Sequence, residues 1–473
     1  MAATGTPSEK RQGMRLPQTF SAFRIAAFRY LWVSSVLTTT AMQVQMFARG
    51  LLAYELGGSA ASIGLVTLGQ AIPQLMFSML GGTFADRIDR RMMMVWVQAF
   101  KSVIAVLITL MVLADVMTVT YLFAFGLVQG VIISFGGPAR QAFVPEVVGK
   151  KELMNAMALS NAAMNLSRIG APSLAAAIVA ISWADIAGIY VFQMLLDVVA
   201  LGLLFFLPAM AKGQMKAADR DPEDAQVRRQ RKPTSARVIL AEIREGFRYI
   251  FASPILLTLA GIGLVPTLLG QSHQQMLPVF AKDVFGDGID RNAGALGFMG
   301  TMSGVGALVG SLLVASMAEY KRRTLLQLGS GLGYGLFLAA FAVQNNFTAA
   351  VIMLVGVGFS SAFLQSLNST MLMTVSDPAY HGRVMSVNML TFSLTSVGVF
   401  VMGYVIDYIG GWTIGSLTIG PVQVAYFVSG LLIAAFILAT TVFNPSYRRL
   451  EQSDLRRYSE SSTNREQVAV GGD

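Results

Sequence analysis

The feature of this sequence that most constrains its fold is a succession of long apolar stretches. A helix rises about 1.5 Å per residue, so crossing the hydrocarbon core of a bilayer takes roughly 20 mainly apolar residues. Twelve such stretches can be assigned. They run near residues 29–54, 60–84, 92–114, 119–141, 156–181, 184–207, 253–280, 294–317, 324–343, 347–372, 385–407 and 422–443. They are continuous and lack the alternating segments of a membrane barrel, which predicts helices.

Composition agrees with a chain dissolved in lipid. Hydrophobic residues make up 54% and charged residues 13% of the 473 positions, whereas soluble domains carry roughly a quarter charged residues. A soluble fold of this size would have too few polar side chains to cover its surface. The sequence therefore predicts an all-α integral membrane protein with twelve transmembrane helices.

The placement of positive charge predicts the orientation. Of the 35 Lys and Arg residues, three lie inside predicted spans, and two, Lys282 and Arg291, lie in loops on one side. The others lie in loops and tails on the opposite side, as the positive-inside rule requires of the cytoplasmic face. Both termini are therefore expected in the cytoplasm. The net charge of +9 reports this topology and is weak evidence for nucleic acid, because no groove-reading motif accompanies it.

One long hydrophilic stretch divides the chain into two halves. We expect a cytoplasmic segment at 1–28, a six-helix bundle at 29–207, a cytoplasmic linker at 208–252 that is helical near 236–250, a second six-helix bundle at 253–443 and a disordered cytoplasmic tail at 444–473. Similar short segments recur in the two halves, which is typical of transporters that rock one half against the other. The chain has no cysteine, which excludes disulfides and Cys-ligated metals.

The loop after the second predicted span carries a family signature. Its sequence is GGTFADRIDRR at 81–91, and the matching positions are Gly82, Asp86, Arg87, Arg90 and Arg91. This segment resembles the loop signature of the major facilitator superfamily, except that Asp89 stands where the family usually has Gly. Longer segments, such as 138–162, resemble the exporter branch that includes the enterobactin exporter and macrolide efflux proteins. The resemblance implies two bundles of six helices and a transport function.

In that family the loop acts as a latch that holds the outward-open state, and the resemblance carries this role to the five matching residues. Gly82 would allow spans two and eleven to approach closely. Asp86 lies at the end of span two, where it can face the positive N-terminus of a neighbouring helix. The alternative is a basic loop that only sets the topology.

Charges inside the spans give the first candidate site. Arg168 and Asp197 lie near mid-depth on spans five and six, where an ionisable side chain needs a partner or a wet cavity. The sequence allows them to pair, as a coupling or substrate-charge site or as a structural ion pair. Lys101, on span three, is expected either to reach the cytoplasmic interface or to line the cavity.

A polar segment in span seven gives further candidates. Gln271, His273 and Gln274 are expected either to face a central cavity or to form a wetted surface near the outer mouth. Arg49, toward the outer end of span one, is expected either to line the cavity or to extend to the interface. A single His is too little for a metal site, so no metal or cofactor is expected.

These features favour a monomeric secondary transporter in the plasma membrane, such as a bacterial inner membrane, that exports an amphipathic small molecule with protons as the coupling ion. The family motif R-x-x-Q-G appears only as Gln129-Gly130, so proton coupling by that route does not carry over. No nucleotide loop is present, and no motif for an enzyme is apparent. An importer of a polar solute, or a non-transporting sensor or scaffold on a transporter fold, remains an alternative.

Overall fold

A computed structural model describes most of the chain. It covers residues 18–85, 90–179, 185–206, 236–286, 289–317, 322–377, 394–414 and 417–444, with residues 320, 380, 384, 388, 391 and 447. Nearly all of the described secondary structure is helical, as the apolar stretches predict.

The N-terminal half is built from a short 3₁₀ helix and five helical elements. Their bounds are Gln18–Arg24 for the 3₁₀ helix, Ala26–Gly57 for α1, Ala60–Ala85 for α2, Arg90–Leu113 for α3, Val119–Val179 for α4 and Asp185–Phe205 for α5. Helix α4 contains predicted spans four and five. Gly149, with φ 71° and ψ 170°, interrupts the helical geometry between them.

The C-terminal half begins with the helix expected in the linker. The bounds are Ala236–Ala252 for α6, Pro254–Leu269 for α7, His273–Asp283 for α8, Ile289–Ser316 for α9, Arg323–Ala342 for α10, Phe347–Val375 for α11, Thr395–Tyr408 for α12 and Pro421–Phe443 for α13. Between α12 and α13, strands β1 (Trp412–Ile414) and β2 (Leu417–Ile419) form an antiparallel hairpin in which Trp412 lies opposite Ile419.

Within the described part of the chain, nine helical stretches are long and apolar enough to cross a membrane. Helix α12 is apolar but has only 14 residues, and most of the preceding part of predicted span eleven lies outside the described residues. The total of twelve spans and the position of the termini therefore stay predictions.

The predicted seventh span is interrupted between α7 and α8. The break lies at Gly270, whose position is filled on one side by Tyr334: a Cβ at Gly270 would lie 2.4 Å from the Tyr334 hydroxyl oxygen. Tyr426 donates a hydrogen bond of 3.0 Å to the Ser272 hydroxyl on the same turn. Two buried tyrosines thus contact the turn where a continuous helix was expected.

Glycines allow neighbouring helices to touch through their backbones. A Cβ at Gly306 would lie 2.1 Å from the Val355 carbonyl oxygen, so α9 and α11 pack in direct backbone contact. Helices α2 and α12 also meet closely, since a Cβ at Gly64 would lie 2.7 Å from Phe400 Cα. The sequence predicted close contact of these two spans at Gly82, whose surroundings lie outside the described residues.

Candidate substrate cavity

A cavity of about 690 Å³ lies between the two halves of the chain, and we call it the central cavity. Helices α1 and α4 form its N-terminal wall, and α8 and α9 form its C-terminal wall. Its lining combines amide groups of Gln43 and Gln274 with apolar groups such as those of Phe47 and Leu296. A few polar groups within a mainly apolar lining are typical of small-molecule sites.

Arg168 of α4 lines the central cavity. Its side chain also borders a second cavity of about 480 Å³, next to Ser311 of α9 and Gln365 of α11. None of the described carboxylates forms an ion pair with Arg168. The guanidinium thus lies at the boundary between the halves.

The predicted pairing of Asp197 with Arg168 is wrong. The Asp197 carboxylate lies 3.3 Å from Lys101 Nζ and accepts a 2.9 Å hydrogen bond from Gln98 Nε2. Gln193 Nε2 donates a further bond of 3.3 Å to it. These partners come from α3 and from α5 itself, because α3 packs against α5 and presents its polar side chains at the depth of Asp197.

This arrangement removes Asp197 from the cavity wall. The residue is 1% exposed, and the Lys101 side chain is 12% exposed, so the expectation that Lys101 reaches the interface is also wrong. Sequence reasoning missed the pair because it matched residues on consecutive helices. The usable signal was that Lys101 and Asp197 lie at similar distances from the same membrane face.

The polar segment that begins α8 is divided among different environments. Gln274 faces the central cavity, whereas Gln271 lines a separate cavity of about 430 Å³ within the C-terminal half, beside Asn368. His273 faces neither a cavity nor a wetted surface: it is fully buried, and its Nδ1 lies 2.6 Å from the Gly270 carbonyl oxygen. Both alternatives predicted for His273 are therefore wrong, because the helix break turns this side chain inward.

Arg49 is also buried rather than extended to the interface. It is not among the described residues that line the central cavity. Neither expected position for Arg49 is therefore observed.

The predicted latch falls mostly outside the described side chains. Helix α2 continues through Gly82, and α3 begins at Arg90, but Asp86 and Arg87 lie outside the described residues, as do the side-chain surroundings of Gly82 and Arg90. The Arg91 side chain is half-buried. The latch stays a prediction.

Among the described residues, several contacts between the halves lie on the predicted outer side of the central cavity. Tyr54, near the end of α1, donates to the Asp283 carboxylate at the end of α8, at 2.8 and 3.0 Å. Lys282 Nζ lies 5.1 Å from the centre of the Tyr54 ring, within cation–π range. These contacts connect the predicted outer ends of α1 and α8.

A second contact connects α12 to the start of α2. The Asp407 carboxylate accepts hydrogen bonds from the backbone N–H groups of Ala60 and Ala61, at 3.0 and 2.9 Å. The first N–H groups of a helix have no partner within it, so a carboxylate from another helix satisfies them. We call this contact, together with the Tyr54–Asp283 contact, the outer clasp.

Two hydroxyl contacts lie deeper along the same boundary. Thr67 of α2 donates a 3.0 Å hydrogen bond to Gln275 Oε1, and Gln275 itself lines the central cavity. The hydroxyls of Ser173 and Thr301 lie 2.5 Å apart between α4 and α9. Sequence reasoning missed all of these pairs, since hydroxyls and amides in spans give no pairing signal.

No group of three His, Cys, Asp or Glu residues that could hold a metal occurs in the described ranges. Apolar helices around a mixed polar and apolar cavity, with contacts between two halves across it, define a multi-pass membrane transporter. The chain belongs to the Major Facilitator Superfamily, whose family profile matches residues 31–398. It is a transporter of the plasma membrane, the inner membrane in a bacterium, and not an enzyme.

Relatives and solved structures agree with this membership. The chain is 26% identical over 382 residues to the enterobactin exporter EntS of Shigella dysenteriae serotype 1, covering 78% of this chain and 82% of that protein. EntS of Escherichia coli O81 matches at the same identity. The fold is similar to the nucleoside transporter NupG, with a TM-score of 0.66 at 16% identity over 88% of this chain and 98% of that one.

Proposed function

We propose that this protein is a secondary exporter that moves an amphipathic small molecule by alternating access, driven by inward movement of protons. The central cavity would hold the substrate between the two halves. Opening the cavity to either side would require the halves to rock about it. The likeness to enterobactin exporters supports export, and the absence of a nucleotide-binding loop argues against direct use of ATP.

The observation that carries the proposal is the position of the outer clasp relative to the central cavity. Substrate release to the outside would require the Tyr54–Asp283 and Asp407 contacts to break. Breaking these polar contacts would cost little free energy, because water would then hydrate the separated donor and acceptor groups. The predicted latch around Asp86 would take over in the outward-open state, on the opposite face.

Asp197 is the best candidate for the proton-carrying group. It is the sole acidic residue near the middle of any predicted span, and it would be exposed to a new environment if a conformational change separated it from Lys101, 3.3 Å away. The competing role is a permanent ion pair that only holds α3 to α5. Transport measured at several pH values separates the two roles.

The first experiment measures the accumulation of a panel of drugs and siderophores in efflux-deficient bacteria that express the protein. We expect lower accumulation of at least one compound, reversed by a protonophore. Asp197→Asn should then lower export and flatten its pH dependence at unchanged expression. Asp115→Asn serves as the matched control, because Asp115 is an exposed acid whose left-handed backbone (φ 54°) suits Asn equally well.

The outcomes distinguish the parts of the proposal. Unchanged accumulation across the panel, with folded protein in the membrane, would count against export. Export that is insensitive to the protonophore would remove the proton coupling alone. Wild-type rates and pH dependence in Asp197→Asn would leave Asp197 as a structural residue.

A further inference from the structure

The charge of Arg168 is not balanced within the described structure. Asp197 is the one acid near the middle of the predicted spans, and Lys101 already pairs with it. Among the described residues that line the central cavity, none is Asp or Glu. Because an uncompensated cation at membrane depth is unfavourable, a guanidinium in this position is expected to have an anionic partner that is not part of the chain.

Other groups in the same wall can donate hydrogen bonds. The Ser303 hydroxyl is buried, with 3% of the residue exposed, and has no hydrogen-bond partner among the described residues. The Gln275 carbonyl oxygen is occupied by Thr67, which leaves the Gln275 amide N–H groups for another acceptor. With Arg168, these residues line the cavity with donors.

The remaining lining residues indicate that part of the ligand is apolar. Met46, Phe47 and Leu277 line the same cavity and favour an apolar body, which the flexible Met side chain can fit in several orientations. Arg binds carboxylates through two parallel hydrogen bonds.

We propose that the central cavity selects amphipathic organic anions, whose carboxylate pairs with Arg168 while their apolar portion contacts the wall formed by Met46, Phe47 and Leu277. This inference rests on the proposed function and adds the charge of the substrate to it. A cationic compound of the same size would meet the guanidinium as a like charge and would bind weakly.

The test compares two xanthene dyes of similar size and opposite charge, carboxyfluorescein and tetramethylrhodamine methyl ester. Their binding to the purified full-length protein in lipid nanodiscs is followed by fluorescence anisotropy. We expect saturable binding of carboxyfluorescein that weakens at least tenfold in Arg168→Gln and less in Arg168→Lys. The control is Arg24→Gln, which removes an exposed positive charge outside the cavity and should bind like the wild type.

Several results would overturn the inference: no saturable binding of carboxyfluorescein, tighter binding of the cationic dye, or equal affinity in Arg168→Gln. Thermal unfolding of each variant identifies variants that are misfolded. Retained binding in Arg168→Lys would show that the positive charge of residue 168 is what binds the dye. Transport of both dyes in proteoliposomes is measured separately. Charge-selective binding without transport would contradict the proposed function alone, whereas transport without dependence on Arg168 would contradict this inference alone.

Discussion

At the residue scale, the buried pair of Lys101 and Asp197 shows how the N-terminal half accommodates charge. Its carboxylate also accepts hydrogen bonds from Gln98 and Gln193, so most of its acceptor capacity is used. A buried ion pair adds little net stability, but removing one partner leaves the other as an uncompensated charge. Single and double substitutions should therefore differ strongly.

We predict that Lys101→Met destabilises the protein by about 3–5 kcal/mol, because the Asp197 carboxylate loses its partner. The measurement is thermal unfolding of the purified protein in detergent. Adding Asp197→Asn to Lys101→Met should recover most of the loss, since the neutral amide can still bond to Gln98. Equal stability of the single and double variants would show that the pair is not coupled.

At the element scale, α2 and α12 form an antiparallel pair that is held together at its predicted outer end by close backbone packing and a hydrogen-bonded carboxylate. Gly64 and Gly403 allow their backbones to touch, because a Cβ at Gly403 would lie 2.6 Å from the Ala60 carbonyl oxygen. Asp407 then lies against the positive N-terminus of α2, a favourable position for a carboxylate. If the latch at Asp86 forms as predicted, the same helix pair would carry one such contact at each end.

We predict that Asp407→Ala weakens the closed outer side by about 1 kcal/mol, the usual contribution of a helix cap. The chain has no native cysteine, so a Met46→Cys substitution in the central cavity gives a specific reporter. A membrane-impermeant maleimide added from outside should label it several times faster in the Asp407→Ala background. Asp115→Ala is the control, and equal labelling in both backgrounds would contradict the clasp.

The contact between α9 and α11 gives a stability prediction. Gly306→Ala should lower the unfolding temperature clearly, because the added methyl group meets the Val355 carbonyl and the helices must separate. Gly329→Ala is the matched control: no atom lies within 4 Å of its added Cβ. Equal unfolding temperatures of the two variants would mean that α9 and α11 can separate without loss.

At the scale of the whole molecule, movement of the halves can be tested by joining them. The Ser173 and Thr301 hydroxyls lie 2.5 Å apart, close to the separation of the sulfur atoms in a disulfide. We predict that Ser173→Cys with Thr301→Cys forms a disulfide under oxidation and stops transport, and that reduction restores it.

Each single cysteine variant should transport normally under both conditions. Cross-linked protein that still transports would mean that α4 and α9 stay together throughout the cycle. Because the chain contains no other cysteine, the extent of cross-linking can be read from gel mobility after cleavage of the linker region.

The sequence by itself determined the properties that follow from embedding the chain in a lipid bilayer. Apolar stretches of sufficient length must become helices in lipid, since every backbone polar group has to be satisfied within the span, and the loop at 81–91 together with longer segments indicated the family. The helix in the linker was also predictable. These properties depend on the order of residues along single segments.

Only the tertiary structure decided which charges meet. Asp197 pairs with Lys101 and not with Arg168, His273 turns inward at a helix break, and Asp407 caps a helix 347 positions earlier in the chain. Each result depends on how helices rotate about their axes and which of them are neighbours. Apolar helices in lipid have no hydrophobic face to fix that rotation, so packing decides which side chains reach the cavity and which are buried.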